Sequence, residues 1–237
     1  MTAVDKPISE IDRSDIFDLC DEKPAEGVQF EIKEDLPAKD GRTVYQGGSV
    51  PDYARNAIAA EIVAFANTYG GTLLIGIRET EDKPHRPDAV SALPHCSELA
   101  HRLRQAIYDV IDPPLPQLES RGVVTADDGH EGVVLLRVGS STRAPHRLTS
   151  NKEAYVRRED ETVRVGMREI QDLTIRRLTE VRGANSPDGS HHDQLATQLA
   201  FTIWRFRQPM WNCKKLLVNE KCMQRQLTLR SLKTTGA

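Results

Sequence analysis

Hydrophobic positions along the chain follow two periods. Between Gly27 and Lys33, Val28, Phe30 and Ile32 alternate with Gln29, Glu31 and Lys33. That period of two predicts a half-buried strand. Farther on, Ile58, Ile62, Phe65 and Ala66 recur at helical spacing on one face. They predict an amphipathic helix with Asp52 as its N-cap and Gly70 as the left-handed residue that ends it. Thr72 to Ile77 is nearly all apolar, as expected of a central strand covered on both faces. Gly76 inside that run predicts a close approach of backbone or ligand. The block ends in Arg78 and Glu79, and side chains presented at the end of a rigid strand are well placed for chemistry.

The flanking patterns complete the expected element list. A short helix is expected over Ile8 to Cys20, capped by Ser9 or Ser14. Residues 35 to 51 contain KDGR and QGGSVP and read as a long flexible connection. Residues 79 to 94 are polar and punctuated by proline. A second helix is expected over Ser97 to Ile111, with Leu99, Leu103, Ile107 and Tyr108 or Val110 facing inward, stopped by Asp112-Pro113-Pro114. Leu115 to Thr125 and Gly132 to Val138 predict a hairpin around Ala126 to Gly129. A loop over Pro145 to Lys152, a short strand over Ala154 to Arg157 and a closing helix over Met167 to Leu178 follow. Helices and strands mix without regular βαβ alternation, which predicts an α+β domain. The expected organisation is an N-terminal segment over 1–19, the domain over 20–181, a linker over 182–192 and a tail over 193–237 whose order the sequence leaves open.

Composition narrows the function classes. The 237 residues carry a net charge of −3, but the charge is uneven. From Arg182 onward there are nine Lys/Arg against three Asp/Glu, which leaves 23 against 32 in the rest. A basic tail on an acidic body points to an anionic partner, or to the tail docking on its own body. Trp204, Phe206 and Trp211 interleave with Arg205 and Arg207. That is the composition of a single-strand binder, and more often that of an amphipathic packing element. The four cysteines form no CxxC pair, so free thiols and no zinc are expected. No apolar run approaches the roughly 18 residues of a membrane span. The N-terminus lacks the basic and apolar regions of a secretory signal. A cytoplasmic location without a membrane partner is expected.

Several motifs occur in a fixed order: Glu26-x4-Glu31-Ile-Lys33, AFANTYGGTLLIGI at 64–77, the DPP break at 112–114, LLRV at 135–138, Ala144-Pro145-His146, and YVRR at 155–158. Together they resemble the Schlafen-type AlbA_2 domain over roughly residues 20–180. The resemblance implies an Alba-like α+β core, a mixed sheet with flanking helices, and binding of RNA or DNA. In several animal Schlafens the domain looks like an RNA endonuclease that uses three acidic residues and a divalent metal. Its E-x4-E-F-K glutamates correspond to Glu26 and Glu31, and the second aspartate of its G-V-D-D motif to Glu79. Here GIRE replaces GVDD, so Arg78 stands in place of the first acid. Those nucleases use two lobes; one is present here, and a homodimer would supply the second.

Three carboxylates at Glu26, Glu31 and Glu79 would suit Mg²⁺ or Mn²⁺, hard ions that prefer oxygen ligands. Glu26 and Glu31 are five apart, however, and an unbroken strand would point them to opposite faces. They share a site only where Glu26 precedes the strand or Gly27 bends it. Lys33 would hold a phosphate beside the acids, or else decorate an exposed strand face. Asn67, Thr68, Gly70 and Gly71 would present donors to a phosphate or base, or else form a structural turn braced by Asn67. They lack the GxxxxGK[ST] of a P-loop. Arg157 and Arg158 would contact phosphates or pair with Glu159, Asp160 and Glu161. His146 and His85 read as loop decoration. The leading reading is a nucleic-acid-binding domain gripping phosphates through Lys33, Arg78, Arg157 and Arg158, with Mg²⁺- or Mn²⁺-dependent RNA cleavage by Glu26, Glu31 and Glu79 as its extension. The alternative is a non-catalytic DNA-binding regulator or protein-interaction module. Nucleotide binding at the Asn67–Gly71 turn ranks third.

Overall fold

The FEIK alternation forms a strand, β1 (Phe30–Lys33), shorter than its pattern because Gly27 to Phe30 makes a turn before it. The computed structural model describes residues 6–184 except 40, 44 and 128. The aromatic tail expected over 193–237 lies outside the described residues.

Helix α1 (Arg13–Glu22) precedes β1. After it come a hairpin of β2 (Leu36–Ala38) and β3 (Gly41–Thr43), then helix α2 (Asp52–Asn67). Strand β4 (Gly70–Ile75) is followed by a second hairpin, β5 (Ile77–Glu79) with β6 (Pro87–Val90). Helix α3 (Cys96–Tyr108) leads to β7 (Ile111–Asp112), then β8 (Glu119–Val124) and β9 (Gly132–Gly139). Strand β10 (Arg147–Leu148) pairs with β7. A last hairpin, β11 (Tyr155–Arg158) with β12 (Glu161–Arg164), precedes helix α4 (Met167–Ala184).

The central sheet has the order β1-β4-β9-β8, with β1 parallel to β4 and the other pairs antiparallel. This mixed sheet with flanking helices is the expected α+β arrangement. Because strand side chains alternate between faces, the sheet carries two cores. Leu73, Ile75, Val134, Leu136 and Val138 pack with Ile58, Ile62 and Phe65 of α2 and with Leu99, Leu103 and Ile107 of α3. On the other face, Phe30, Ile32, Leu74, Val133 and Leu135 pack with Ile11, Ile16 and Leu19 at α1.

Several local expectations are corrected. Helix α1 starts later than expected, because Asp12 rather than Ser9 or Ser14 caps it. The Asp12 carboxylate accepts from the N–H groups of Ser14 and Asp15, and Asp15 reciprocates in a capping box. Asp52 is the first helical residue of α2 and not its cap, a place held by Pro51. Gly70 has a positive φ of 77° but opens β4 instead of ending α2. The expected strand Thr72–Ile77 breaks at Gly76, whose φ of 107° favours glycine. The break sends β5 into its own hairpin and carries Glu79 away from the sheet. The connection over 35–51 and the polar stretch over 79–94 each hold strands. Those strands are short and lack an apolar run, so their pattern was weak.

Asn67 ties the end of α2 to two distant segments. Its amide nitrogen donates to the carbonyls of His146 and Tyr155, both at 2.9 Å, and its oxygen accepts from the His146 N–H at 2.7 Å. The side chain is buried, so truncation leaves buried backbone groups unpaired. Asn67→Ala is expected to lower unfolding stability by about 3 kcal/mol, read from urea denaturation midpoints.

Candidate functional site

The turn before β1 decides where Glu26 goes. Gly27 and Phe30 bridge to each other, which brings Glu26 back beside the strand it precedes. There its Oε1 accepts from the Ile32 N–H at 2.8 Å, and its own N–H donates to the His85 carbonyl at 3.0 Å. Glu26 thus precedes the strand, the placement that sharing a site with Glu31 requires.

Glu31 and Lys33 point from β1 toward α2 and β11. Lys33 Nζ lies 2.7 Å from Glu31 and 3.6 Å from Glu61 of α2. Arg157 enters from β11. Its guanidinium donates to Glu31 at 2.8 Å, to Glu61 at 3.1 Å and to Thr162 Oγ1 at 3.2 Å. It also donates to the carbonyls of Gly27 at 3.1 Å and Asp160 at 3.0 Å. Thr162 donates a short hydrogen bond to Glu61. The guanidinium carbon stands 5.0 Å from the Phe65 ring centroid, a cation–π distance. The Arg157 side chain is 1% exposed, so it is an interior tie rather than the expected surface contact for phosphate. A planar fork with five donors suits this role, since buried charges persist only when paired and hydrogen-bonded.

Glu26 and Glu79 differ from Glu31 in that no Lys or Arg hydrogen bond to either is seen among the described residues. Burial pushes the Glu26 carboxyl up to about 7, helped by Glu31 and Glu79 and opposed by the Ile32 hydrogen bond and by His85. Burial also raises Glu79, with Glu31 and Glu34 adding to it and Lys33 and His85 opposing. His85 Nδ1 is 3.8 Å from Glu79 and 2.9 Å from the Thr80 carbonyl. Burial works to lower the Lys33 ammonium, but Glu61, Glu31 and Glu79 together hold it above its ordinary value. The negative charges of Glu31 and Glu79 thus add to the rise at Glu26, and that of Glu31 to the rise at Glu79. Even so, no group of three or more His, Cys, Asp or Glu side chains among the described residues is arranged to hold a metal ion. Glu31 commits one oxygen to Lys33 and the other to Arg157.

The remaining candidates lie elsewhere. Arg78 is exposed and pairs with Asp88 at 3.0 Å, and Lys23 pairs with the same carboxylate. Arg158 is exposed and pairs with Glu169 of α4. Thr68 donates to the Ala64 carbonyl and accepts from the Arg157 N–H, so with Asn67 it braces the fold. His146 is fully buried instead of decorating a loop. Its Nδ1 is 2.7 Å from the Pro113 carbonyl, which fixes Nδ1 as donor and leaves Nε2 to accept from Ser141 Oγ at 2.7 Å. Burial keeps its pKa below the ordinary value.

Glu61 was absent from the sequence reading. Its signal was a lone carboxylate among Ala59, Ala60, Ile62 and Val63, because a charge amid apolar helix positions needs a buried partner.

Residues 26–166 match the family described as Schlafen, AlbA_2. The chain belongs to this family. No curated protein matches it. Among solved structures it is similar to the DIP2311 protein from Corynebacterium diphtheriae, at 24% identity and a TM-score of 0.40 over 68% of this chain. The chain spans 28% of that protein's length. It is also similar to the N-terminal domain of an ATP-dependent DNA helicase RecG-related protein from Nitrosomonas europaea. There the identity is 17% and the TM-score 0.39, covering 62% of this chain and 88% of that one. In this AlbA_2 domain the E-x4-E pair splits by environment: Glu31 is held by two cations, and Glu26 is not. Among the described residues no helix is long and apolar enough to cross a membrane.

Two predictions follow from these environments. A carboxyl whose folded pKa exceeds its unfolded one keeps a proton that the unfolded chain has lost, so stability falls as pH rises between about 4.5 and about 7. Glu26→Gln keeps an oxygen for the Ile32 N–H and never ionises. At pH 8 it is expected to stabilise the fold by about 1–2 kcal/mol, discounted for partial solvent exposure. That gain shrinks toward zero as pH falls to 4.5, and chemical denaturation across pH checks both the sign and the window. Arg157→Met removes the cation between two buried carboxylates and is expected to cost about 3–5 kcal/mol. A loss under about 1 kcal/mol in urea unfolding would contradict the interior role.

Proposed function

We propose that this domain is a nucleic-acid-binding module whose Glu26–Glu79 mouth meets the phosphate backbone through a divalent cation. The observation that carries this reading is that Glu26, folded back onto the Ile32 N–H, and Glu79 accept no Lys or Arg hydrogen bond among the described residues, while burial raises both carboxyls. Two crowded, partly buried carboxylates resist ionisation, and a divalent cation relieves that cost. They also repel phosphate unless a cation stands between. Mg²⁺ is characteristically held by one or two protein carboxylates together with substrate phosphates. Glu26 and Glu79 fit that donor set, and the Mn²⁺ ion would use the same oxygens. Glu31 does not fit as a third ligand while Lys33 and Arg157 hold it, so its role is to position Lys33.

When bound, the metal would supply water activation and charge neutralisation for phosphodiester cleavage. Lys33 would hold a phosphate oxygen at the mouth, and exposed Arg78 and Arg158 would contact the flanking backbone. RNA is the proposed substrate for cleavage. A non-catalytic regulator is the second reading, favoured by the replacement of the first GVDD acid by Arg78, which faces Asp88 instead of the cluster.

The test combines binding and cleavage. Labelled single-stranded RNA and DNA are titrated with the protein across salt concentrations, with and without Mn²⁺. Structured RNA is then incubated with Mn²⁺ beside Glu79→Gln and Glu26→Gln. Binding that weakens steeply with salt, with Mn²⁺-dependent cleavage lost in both variants, is the expected result. Binding without cleavage leaves the regulator reading. No binding to either strand overturns the proposal.

A further inference from the structure

A cavity lies on the face of the sheet that carries α1, at the other end of β4 from the Glu79 side. Its volume is about 480 Å³, within the roughly 300–1,000 Å³ typical of small-ligand pockets. Strand register explains why it exists. Thr72, Arg137 and Glu119 stand in one row across β4, β9 and β8. The next row on the same face is Gly70 opposite Gly139. Neither has a side chain, so the sheet floor is bare there. Gly70 cannot carry one, since a Cβ would meet Ser140 N at 2.7 Å and Val138 O at 2.8 Å. At Gly139 a Cβ would meet nothing within 4 Å.

The walls have a distinct chemistry. Tyr69 stands at the cavity with 65% of its surface exposed. Gln29 and Gln117 line it with Thr72, Glu119 and Arg137. Gln29 Nε2 donates to the Tyr69 carbonyl at 3.1 Å and Gln117 Nε2 to Glu119 at 2.6 Å. Arg137 Nε donates to Thr72 Oγ1 at 2.8 Å, and the same guanidinium donates to the Lys6 carbonyl. One cation and one anion leave the lining near neutral, so it does not select a phosphate. It offers an aromatic face, and carboxamides that can both donate and accept. A nucleobase presents the matching pair of features, a π face and a polar edge.

We propose that this cavity takes a single unpaired nucleobase, stacked on Tyr69 over the Gly70–Gly139 floor and read at its edge by Gln29 and Gln117. The inference rests on the nucleic-acid reading above, but none of Glu26, Glu31 or Glu79 lines the cavity. It gives the domain a preference for single strands with accessible bases.

The test compares a short labelled single-stranded RNA with an abasic strand of equal length and charge, by fluorescence anisotropy. The wild type is expected to bind the base-bearing strand roughly 5- to 150-fold more tightly, the range of one aromatic stack. Tyr69→Phe keeps the preference and Tyr69→Ala loses it. Gly139→Leu adds a side chain where a Cβ would meet nothing within 4 Å, so it is expected to lose the preference while its thermal melting matches the wild type. Equal affinity of the wild type for both strands overturns the base pocket and leaves the nucleic-acid reading standing. A preference retained in a folded Gly139→Leu does the same. No binding of either strand overturns the parent reading and the pocket with it.

Discussion

The Arg157 guanidinium, enclosed between Glu31 and Glu61, is the constraint on which the site depends. A buried cation must be paired and hydrogen-bonded, or the fold loses several kcal/mol; both terminal nitrogens of Arg157 are so engaged, and only its Nε has no partner. Here the partners come from the turn before β1, from β1, from α2 and from the β11–β12 hairpin. One side chain therefore ties together three stretches that are far apart in sequence: residues 27–31, α2 and the β11–β12 hairpin. Phe65 lies beneath the guanidinium, so the polar tie rests directly on the apolar core between α2 and the sheet.

The tie also divides the acids. Glu31 and Glu61 are neutralised by Arg157 and Lys33, and their charges serve the fold. Glu26 and Glu79 sit nearby under partial burial, and both are pushed toward the protonated form. Carboxyls perturbed by burial and by neighbouring charges are common at functional sites. A family motif read as three equivalent acids becomes, in this chain, one structural glutamate and two reactive candidates. Arg78, next to Glu79, turns to Asp88 and stays outside the cluster.

Much of the architecture was legible because the apolar periods are clean. The α2 face and the GTLLI run bury the residues their pattern selects, whereas the strand expected to be half-buried is covered on both faces, because Arg157 and Lys33 close over Glu31 on its polar side. What escaped the sequence depends on distant partners. Arg157 and Arg158 look alike in YVRR, yet strand alternation sends Arg157 inward beside Tyr155 and Arg158 out to Glu169. Glu61 was hidden within an apolar helix, where its presence was itself the clue. His146 read as loop decoration because nothing local announces that Pro113, Ser141 and Asn67 will close around it. The short strands β5, β6 and β12 have too few apolar positions to show a period, and Gly76 alone marked the break that aims Glu79.

A double-mutant cycle between Glu31→Gln and Arg157→Met, read by urea unfolding, tests this division of the acids most directly. If Arg157 holds Glu31 as described, the two losses are non-additive, with a coupling energy of about 1–3 kcal/mol. Additive losses would mean that the pair is not a unit, and would return Glu31 to the reactive acids with Glu26 and Glu79.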